Sequence, residues 1–204
     1  MIAAPTAIAP LTIGFQQSSA ATQVRKVRAM TETSASAAAE EQVVYQRTIF
    51  INPAVTRQWV SIKVFRLAAD VDDRSALAAM IAHVRYRDSY AGTGDTDMVD
   101  KHGPYWLDAI TPQTFVVVNP AAADTVIRTW AVYFVPWPAG DREAMDREVY
   151  ARIQNATVIY QLPDIRATAQ HDWGEIVGSD GGFHEYVMFD RAASELALMV
   201  ASDD

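Results

Sequence analysis

Two histidine–carboxylate pairs near the end of the chain are the residues from which acid–base chemistry could start. His171 is followed by Asp172, and His184 is followed by Glu185. A histidine with a nearby carboxylate is the minimal general-base arrangement. The glycine-rich stretch between the pairs, residues 178–182, predicts a hairpin that would bring the two imidazoles together. These four residues are the weak catalytic candidates of the chain, because the sequence identifies no nucleophile or substrate group beside them.

An acidic segment in the middle of the chain combines carboxylates with an imidazole. Asp95, Asp97 and Asp100 precede His102, and hard cations are bound by oxygen ligands at such spacing. The segment departs from a calcium-binding loop, because the glycine of the turn and the closing glutamate are both missing. The chain also has no cysteine and no glycine-rich nucleotide-binding motif. We therefore predict neither a metal site nor a cofactor.

Aromatic residues in two connecting segments are candidates for contact with a partner. Pro136 and Pro138 hold Trp137 in a connector, and tryptophan is enriched in binding hot spots. Tyr105 and Trp106 follow the acidic segment. Each of these aromatic residues could equally cover the core. The predicted partner-binding residues, expected at one end of the sheet, are Trp137, Asp95, Asp97, Asp100, Tyr105 and Trp106.

Two segments with the same signature indicate an internal repeat. Residues 52–54 read Asn-Pro-Ala, as do residues 119–121, and each copy is followed at almost the same distance by Asp-Arg. Residues of strand-forming type follow each copy, and each Asp-Arg begins a helical pattern. Residues 48–88 and 114–155 are therefore predicted to be two copies of a β-β-α unit.

Hydrophobic periodicity predicts the remaining elements of the body. Residues 192–201 fit either a helix or a strand, and the strand is favoured because residues 183–189 would otherwise be an unprotected edge. The predicted fold is α+β: a mainly antiparallel sheet from two β-β-α repeats plus a C-terminal β-hairpin or meander, with the helices on one face. The predicted strands are residues 43–51, 58–67, 114–119, 125–135, 157–162, 173–177 and 183–189, and the predicted helices are residues 72–87 and 141–155.

Residues 1–42 differ in composition from the rest of the chain and are rich in Ala, Ser, Thr and Gln. They offer too little apolar surface to offset the entropy of ordering, so we predict a disordered or docking arm ahead of a single domain over residues 43–204. Residues 1–30 contain basic but no acidic side chains, which is weakly like an organelle transit segment. A start at Met30 is the alternative, and the expected location is otherwise cytoplasmic.

Charge and hydropathy restrict the partners of this 204-residue chain. Its formal net charge of -8 at pH 7 argues against nucleic acid and against an anionic membrane surface. No apolar stretch approaches the roughly 20 residues of a membrane span. The favoured hypothesis is a non-enzymatic protein-interaction or structural protein with a basic or amphipathic protein partner, and a homo-oligomer is possible. The alternatives are an acidic inhibitor or immunity-type protein, and a small hydrolase or isomerase that uses the region of His171 and His184.

Overall fold

The strand-forming segments build one six-stranded sheet. The computed structural model describes residues 42–90, 100–178 and 180–203. The order of the six strands across the sheet is β1-β2-β8-β7-β6-β5, and every neighbouring pair is antiparallel. The strands are β1 (Val43–Ile51), β2 (Gln58–Leu67), β5 (Val116–Val118), β6 (Val158–Leu162), β7 (His184–Asp190) and β8 (Glu195–Asp203), and β3 (Lys101–His102) pairs separately with β4 (Tyr105–Trp106).

The central strands are buried on both faces of the sheet. β2 pairs with β8 from Gln58 opposite Asp203 to Arg66 opposite Glu195, and nearly every residue of both strands is buried. Successive side chains of a strand point to opposite faces, so both faces must be covered. We call the face that carries Trp59, Phe65, Val187 and Leu198 the first face. The second face carries Val60, Ile62, Tyr186 and Met199.

Helices cover both faces, which corrects the prediction that they lie on one. Helix α1 (Asp73–Ala82) packs Leu77 and Met80 into the core of the first face. The second face is covered by α2 (Pro120–Ala131) and by a long helical stretch. That stretch runs through α3 (Ala139–Met145), a π-helical segment (Asp146–Tyr150) and α4 (Ala151–Asn155). A short helix α5 (Arg166–Ala169) adds to the first-face core.

The internal repeat is wrong at the level of secondary structure. Residues 120–131 form α2 rather than the predicted strand 125–135, so the second segment runs β-α-α where the first runs β-β-α. The Asn119 side chain accepts a hydrogen bond from the amide of Ala122 at 3.0 Å, and Pro120 occupies the first turn. Both are strong helix-start signals, and Ile127 and Trp130 lie on the buried side. The β-branched residues of this segment had favoured a strand, but the cap and the burial pattern outweigh them.

The C-terminal strands form a meander, and β8 confirms the strand prediction for the end of the chain. The hairpin joins β7 to β8 through residues 191–194. At this turn the Asp190 carboxylate accepts a hydrogen bond from the amide of Ala193 at 2.9 Å. The predicted hairpin between residues 173–177 and 183–189 is wrong, because Gly174–Ile176 forms a 3₁₀ turn. The α+β class and the mainly antiparallel sheet are confirmed.

Some predictions concern residues that the structure does not describe. The predicted arm over residues 1–42 lies outside the described residues apart from Gln42, as do Asp95 and Asp97. No helix in the described ranges is long and apolar enough to cross a membrane.

Candidate functional sites: a three-loop groove and a buried polar cluster

Three loops line an open groove at one end of the sheet. The turn between β1 and β2 contributes Val55, Thr56 and Arg57, the connector between α2 and α3 contributes Phe134, and the loop before β7 contributes Asp180. The groove encloses about 320 Å³. Its apolar wall and the two charged side chains at its rim suit a partner that presents an apolar side chain.

The connector between α2 and α3 exposes four successive apolar residues beside this groove. We call Val132–Val135 the exposed apolar run. Val132 is 64% exposed, Tyr133 61%, Phe134 40% and Val135 38%. The rings of Tyr133 and Phe134 pack edge to face with centroids 4.9 Å apart. Runs of this length on a surface cost solubility, and they usually indicate a binding surface.

Buried Gln58 fixes two of the three loops to the sheet. Its side-chain oxygen accepts hydrogen bonds from Trp137 Nε1 at 3.0 Å and from the Thr56 hydroxyl at 3.3 Å. Its side-chain nitrogen donates to the backbone oxygen of Trp130. An indole N–H can only donate and a carbonyl can only accept, so these partners dictate the orientation of the amide. The apolar run and the β1–β2 turn are therefore held in position before any partner arrives.

Buried Asp203 fixes the third loop. Its carboxylate accepts hydrogen bonds from the amides of Asp180 at 3.1 Å and Gly181 at 2.9 Å. The chain turns back on itself here: Gly178 has a φ of +65°, and a Cβ on it would lie 2.5 Å from the carbonyl carbon of Gly182. Only glycine fits that position without strain.

Trp137 is buried and cannot serve as the exposed anchor that we predicted for it. It is 3% exposed, and its ring packs edge to face on Trp130 with centroids 5.8 Å apart. Its indole covers the end of the second-face core and reaches Gln58, so burial satisfies both its apolar body and its N–H. Trp137 belongs to the core of the second face, whereas Tyr105 is buried in the core of the first face, so the two side chains lie on opposite faces of the sheet.

The first face contains a buried cluster of hydrogen-bonded polar residues. The Glu185 carboxylate accepts from the Tyr86 hydroxyl at 2.9 Å, and its other oxygen lies 2.6 Å from His102 Nε2. His102 Nδ1 bonds to the backbone oxygen of Tyr86 and must therefore carry a proton. The two rings are stacked with centroids 3.7 Å apart. All three side chains are fully buried, and burial together with the Glu185 charge raises the pKa of Tyr86 well above its usual value.

A buried lysine extends this cluster. Lys63 Nζ donates to the Asp88 carboxylate at 2.8 Å and to the Tyr90 hydroxyl at 3.1 Å. Burial lowers the pKa of Lys63 and raises the pKa of Tyr90 well above its usual value. Tyr90 has a φ of +57°, which is uncommon for a residue with a side chain. Lys63 and Glu185, the buried charged groups of this cluster, are thus paired rather than free.

The predicted catalytic pairs do not assemble. His184 lies on the second face, where its Nε2 donates to the backbone oxygen of Gly181 at 3.1 Å, and burial lowers the pKa of its imidazole. Glu185 is its neighbour along the strand and therefore points to the first face, towards His102. His171 Nε2 donates to the backbone oxygen of Gly103 at 2.9 Å. Asp172 is largely exposed, with an oxygen 3.8 Å from His171 Nδ1.

His102 is the residue of this cluster whose pairing the sequence did not predict. The odd-numbered residues of β7 face the first-face core, which places Glu185 there with Val187 and Phe189. That alternation is the only sequence signal for the burial of Glu185, and it does not identify the partner. Both ring nitrogens of His102 are hydrogen-bonded, so neither is available to a substrate in this arrangement.

Comparisons with protein-family models, with curated proteins and with solved structures gave no match to this chain. Among the described residues, no group of three or more histidine, aspartate or glutamate side chains is arranged to hold a metal ion. The functional argument therefore rests on the geometry of the groove and of the polar cluster.

Proposed function

We propose that this chain is a non-enzymatic protein-interaction protein whose partner docks on the exposed apolar run and the adjacent groove. The single observation that carries the proposal is the exposure of four successive apolar side chains, Val132 to Val135. Val55, which is 55% exposed, lines the same groove as Phe134 and extends this surface onto the β1–β2 turn. Contiguous apolar surface of this kind favours a binding function.

The energetics of the surface favour binding because its loops are already held in place. Full burial of one valine or phenylalanine side chain contributes roughly 1.5–3 kcal/mol. Binding usually loses part of such a gain to the ordering of loops and side chains. Gln58 bonds to both flanking loops, so the free-energy cost of ordering these loops is smaller when the partner docks.

The partner that fits this surface is an amphipathic protein segment. An apolar side chain would enter the groove between Val55 and Phe134, while polar groups meet Arg57 and Asp180 at the rim. The formal net charge of -8 would steer a basic partner towards the chain and raise its rate of association. An acidic inhibitor or immunity-type protein would act through the same kind of contact.

The positions of the histidines favour this proposal over a hydrolase or isomerase. A general base needs a ring nitrogen within reach of the substrate. His102 has both nitrogens bonded and is fully buried, and His171 bonds to Gly103 from a buried position. His171 and His184 bond to the backbone oxygens of Gly103 and Gly181 rather than to each other.

Affinity capture from the native host with two matched variants tests the proposal. Tyr133→Ser combined with Phe134→Ser removes the aromatic part of the run, and Val117→Ser alters a valine on β5 that is 64% exposed. We expect the double variant to lose the captured protein and Val117→Ser to keep it. With the purified partner, the double variant should weaken binding by about 2 kcal/mol or more.

The proposal fails if the double variant captures the same proteins with unchanged affinity. It also fails if Val117→Ser has the larger effect. Circular dichroism melting of both variants provides the control for folding, because all three altered side chains are exposed.

A further inference from the structure

The first face presents a second surface feature, in which one of the chain's own lysines lies against two indole rings. Lys101 Nζ lies 4.8 Å from the ring centroid of Trp106 and 5.7 Å from that of Trp173. It also lies 3.5 Å from a carboxylate oxygen of Asp100. Cations at these distances are attracted by the electron-rich face of the ring. The side chains around Trp106 therefore already bind a cation within the molecule.

Trp106 also lines an open pocket with two carboxylates, one of which has no ion-pair partner among the described residues. The pocket encloses about 610 Å³, and Asp100, Leu107 and Asp108 line it with Trp106. Asp100 has Lys101 beside it, whereas Asp108 is exposed and has no ion-pair or hydrogen-bond partner within the described part of the chain. A cation that enters this pocket would meet the indole of Trp106, the aliphatic side chain of Leu107 and the carboxylate of Asp108.

We propose that this pocket binds a basic side chain of a protein partner, with arginine preferred. A guanidinium can stack on the Trp106 ring and pair with the Asp108 carboxylate at the same time, because it is planar and weakly hydrated. The methylene groups of the arginine would pack on Leu107. The site is separate from the exposed apolar run: Leu107 packs against the first-face core, whereas the run follows α2, which covers the second face.

The charge of the pocket and the indole act together in this proposal. An exposed charge pair alone is weak and is screened by salt, and an exposed indole alone would accept many apolar groups. Only their combination selects a cation over a neutral side chain of the same shape. The matched pair of ligands that separates these effects is arginine and citrulline, which differ mainly in charge.

NMR titration of the full chain tests the proposal. The probe is N-acetyl-Gly-Arg-Gly-amide, its control is the same peptide with citrulline, and the signal is the Trp106 indole N–H, assigned with Trp106→Leu. We expect the arginine peptide to shift this signal saturably and the citrulline peptide to leave it unchanged. Asp108→Asn should weaken binding at least about threefold, which is within the range of exposed charge pairs.

Glu143→Gln is the matched control, since it removes one exposed carboxylate from α3 on the second face. It should leave the arginine affinity unchanged, as should Tyr133→Ser combined with Phe134→Ser. The proposal is overturned if the arginine peptide gives no saturable shift, if citrulline binds equally well, or if Glu143→Gln weakens binding as much as Asp108→Asn. None of these outcomes depends on the apolar run, so the two proposals can fail separately.

Discussion

The two faces of the sheet are equally buried but differ in the interactions that hold them together. On the first face, Lys63, His102 and Glu185 are buried among aromatic rings, and each is hydrogen-bonded to a partner from another segment. The second face is apolar across its centre, and its buried polar groups, Gln58 and Asp203, lie at one end beneath the groove. The stability of the first face therefore depends on the pairing of its buried polar groups. The stability of the centre of the second face depends on how well its apolar side chains fill the core.

This difference shows where each face tolerates change. A buried polar group that loses its partner costs more than the same group contributes when it is paired. An apolar core tolerates a substitution of equal volume much better. We therefore expect shape-conserving substitutions to distinguish the two faces more clearly than truncations.

The largest expected effect comes from Glu185 on the first face. Glu185→Met conserves volume but leaves His102 Nε2 and the Tyr86 hydroxyl without their hydrogen-bond partner, so the free energy of unfolding should fall by about 3–5 kcal/mol. The amide of Glu185→Gln can accept from the Tyr86 hydroxyl through its oxygen and donate to His102 Nε2 through its nitrogen, so its cost should stay below about 1.5 kcal/mol. Met199→Leu on the second face should cost less than about 1.5 kcal/mol. Urea unfolding of the three variants measures these values, and equal losses for Glu185→Met and Met199→Leu would contradict the comparison.

An intermediate effect is expected at the polar end of the second face. Gln58→Leu leaves Trp137 Nε1 without its hydrogen-bond partner, at a cost of roughly 1–3 kcal/mol, whereas the Trp130 carbonyl still accepts from the amide of Tyr133. It also releases the connector that carries the exposed apolar run, so partner binding should weaken although Gln58 itself is fully buried. Urea unfolding and the affinity assay measure the two effects. Unchanged partner affinity would show that Gln58 does not position the run.

The smallest effect is expected from the second-face tyrosine at alkaline pH. Burial raises the pKa of Tyr186 to about 12, above the value of about 10 in the unfolded chain. The contribution of Tyr186 to the free energy of unfolding is therefore complete below pH 10 and is lost as the pH rises towards 12. Tyr186→Phe should remove this loss, which amounts to about 1 kcal/mol at pH 11.

The first-face counterpart of this substitution is Tyr86→Phe. This substitution removes a similar loss of stability at alkaline pH. It should also reduce stability near neutral pH, because Glu185 loses a hydrogen-bond donor. Urea unfolding of both variants between pH 7 and pH 11 makes the comparison. If Tyr186→Phe is the more costly variant at pH 7, the two faces do not differ as proposed.

Local patterns predicted much of the secondary structure and part of the candidate site. Strand-forming composition identified β1 and alternating side chains identified β2. The start of α1 was also predicted, and there the Asp72 carboxylate accepts from the amide of Ser75 at 3.0 Å. The connector around Trp137 was singled out from its prolines. Its exposed apolar residues are Val132–Val135, however, because the indole of Trp137 is held inside by Gln58.

The two Asn-Pro-Ala segments show the limit of local sequence. At Asn52-Pro53 the chain forms a turn in which the amide of Thr56 donates to the backbone oxygen of Pro53 at 3.2 Å. At Asn119-Pro120 the same residues begin a helix. The alanines and the amphipathic pattern that follow the second copy decide this difference, so the shared tripeptide does not establish a repeat.

The sequence by itself determined an α+β chain with an antiparallel sheet, because alternation, helix caps and turn residues act over a few neighbouring positions. Only the tertiary structure decided which distant residues meet. His102 and Glu185 are 83 residues apart and Gln58 and Trp137 are 79 apart. Their pairing depends on the order of the strands and on the face to which each side chain points. Those two properties arise when both faces of the sheet are buried together, and no local pattern specifies them.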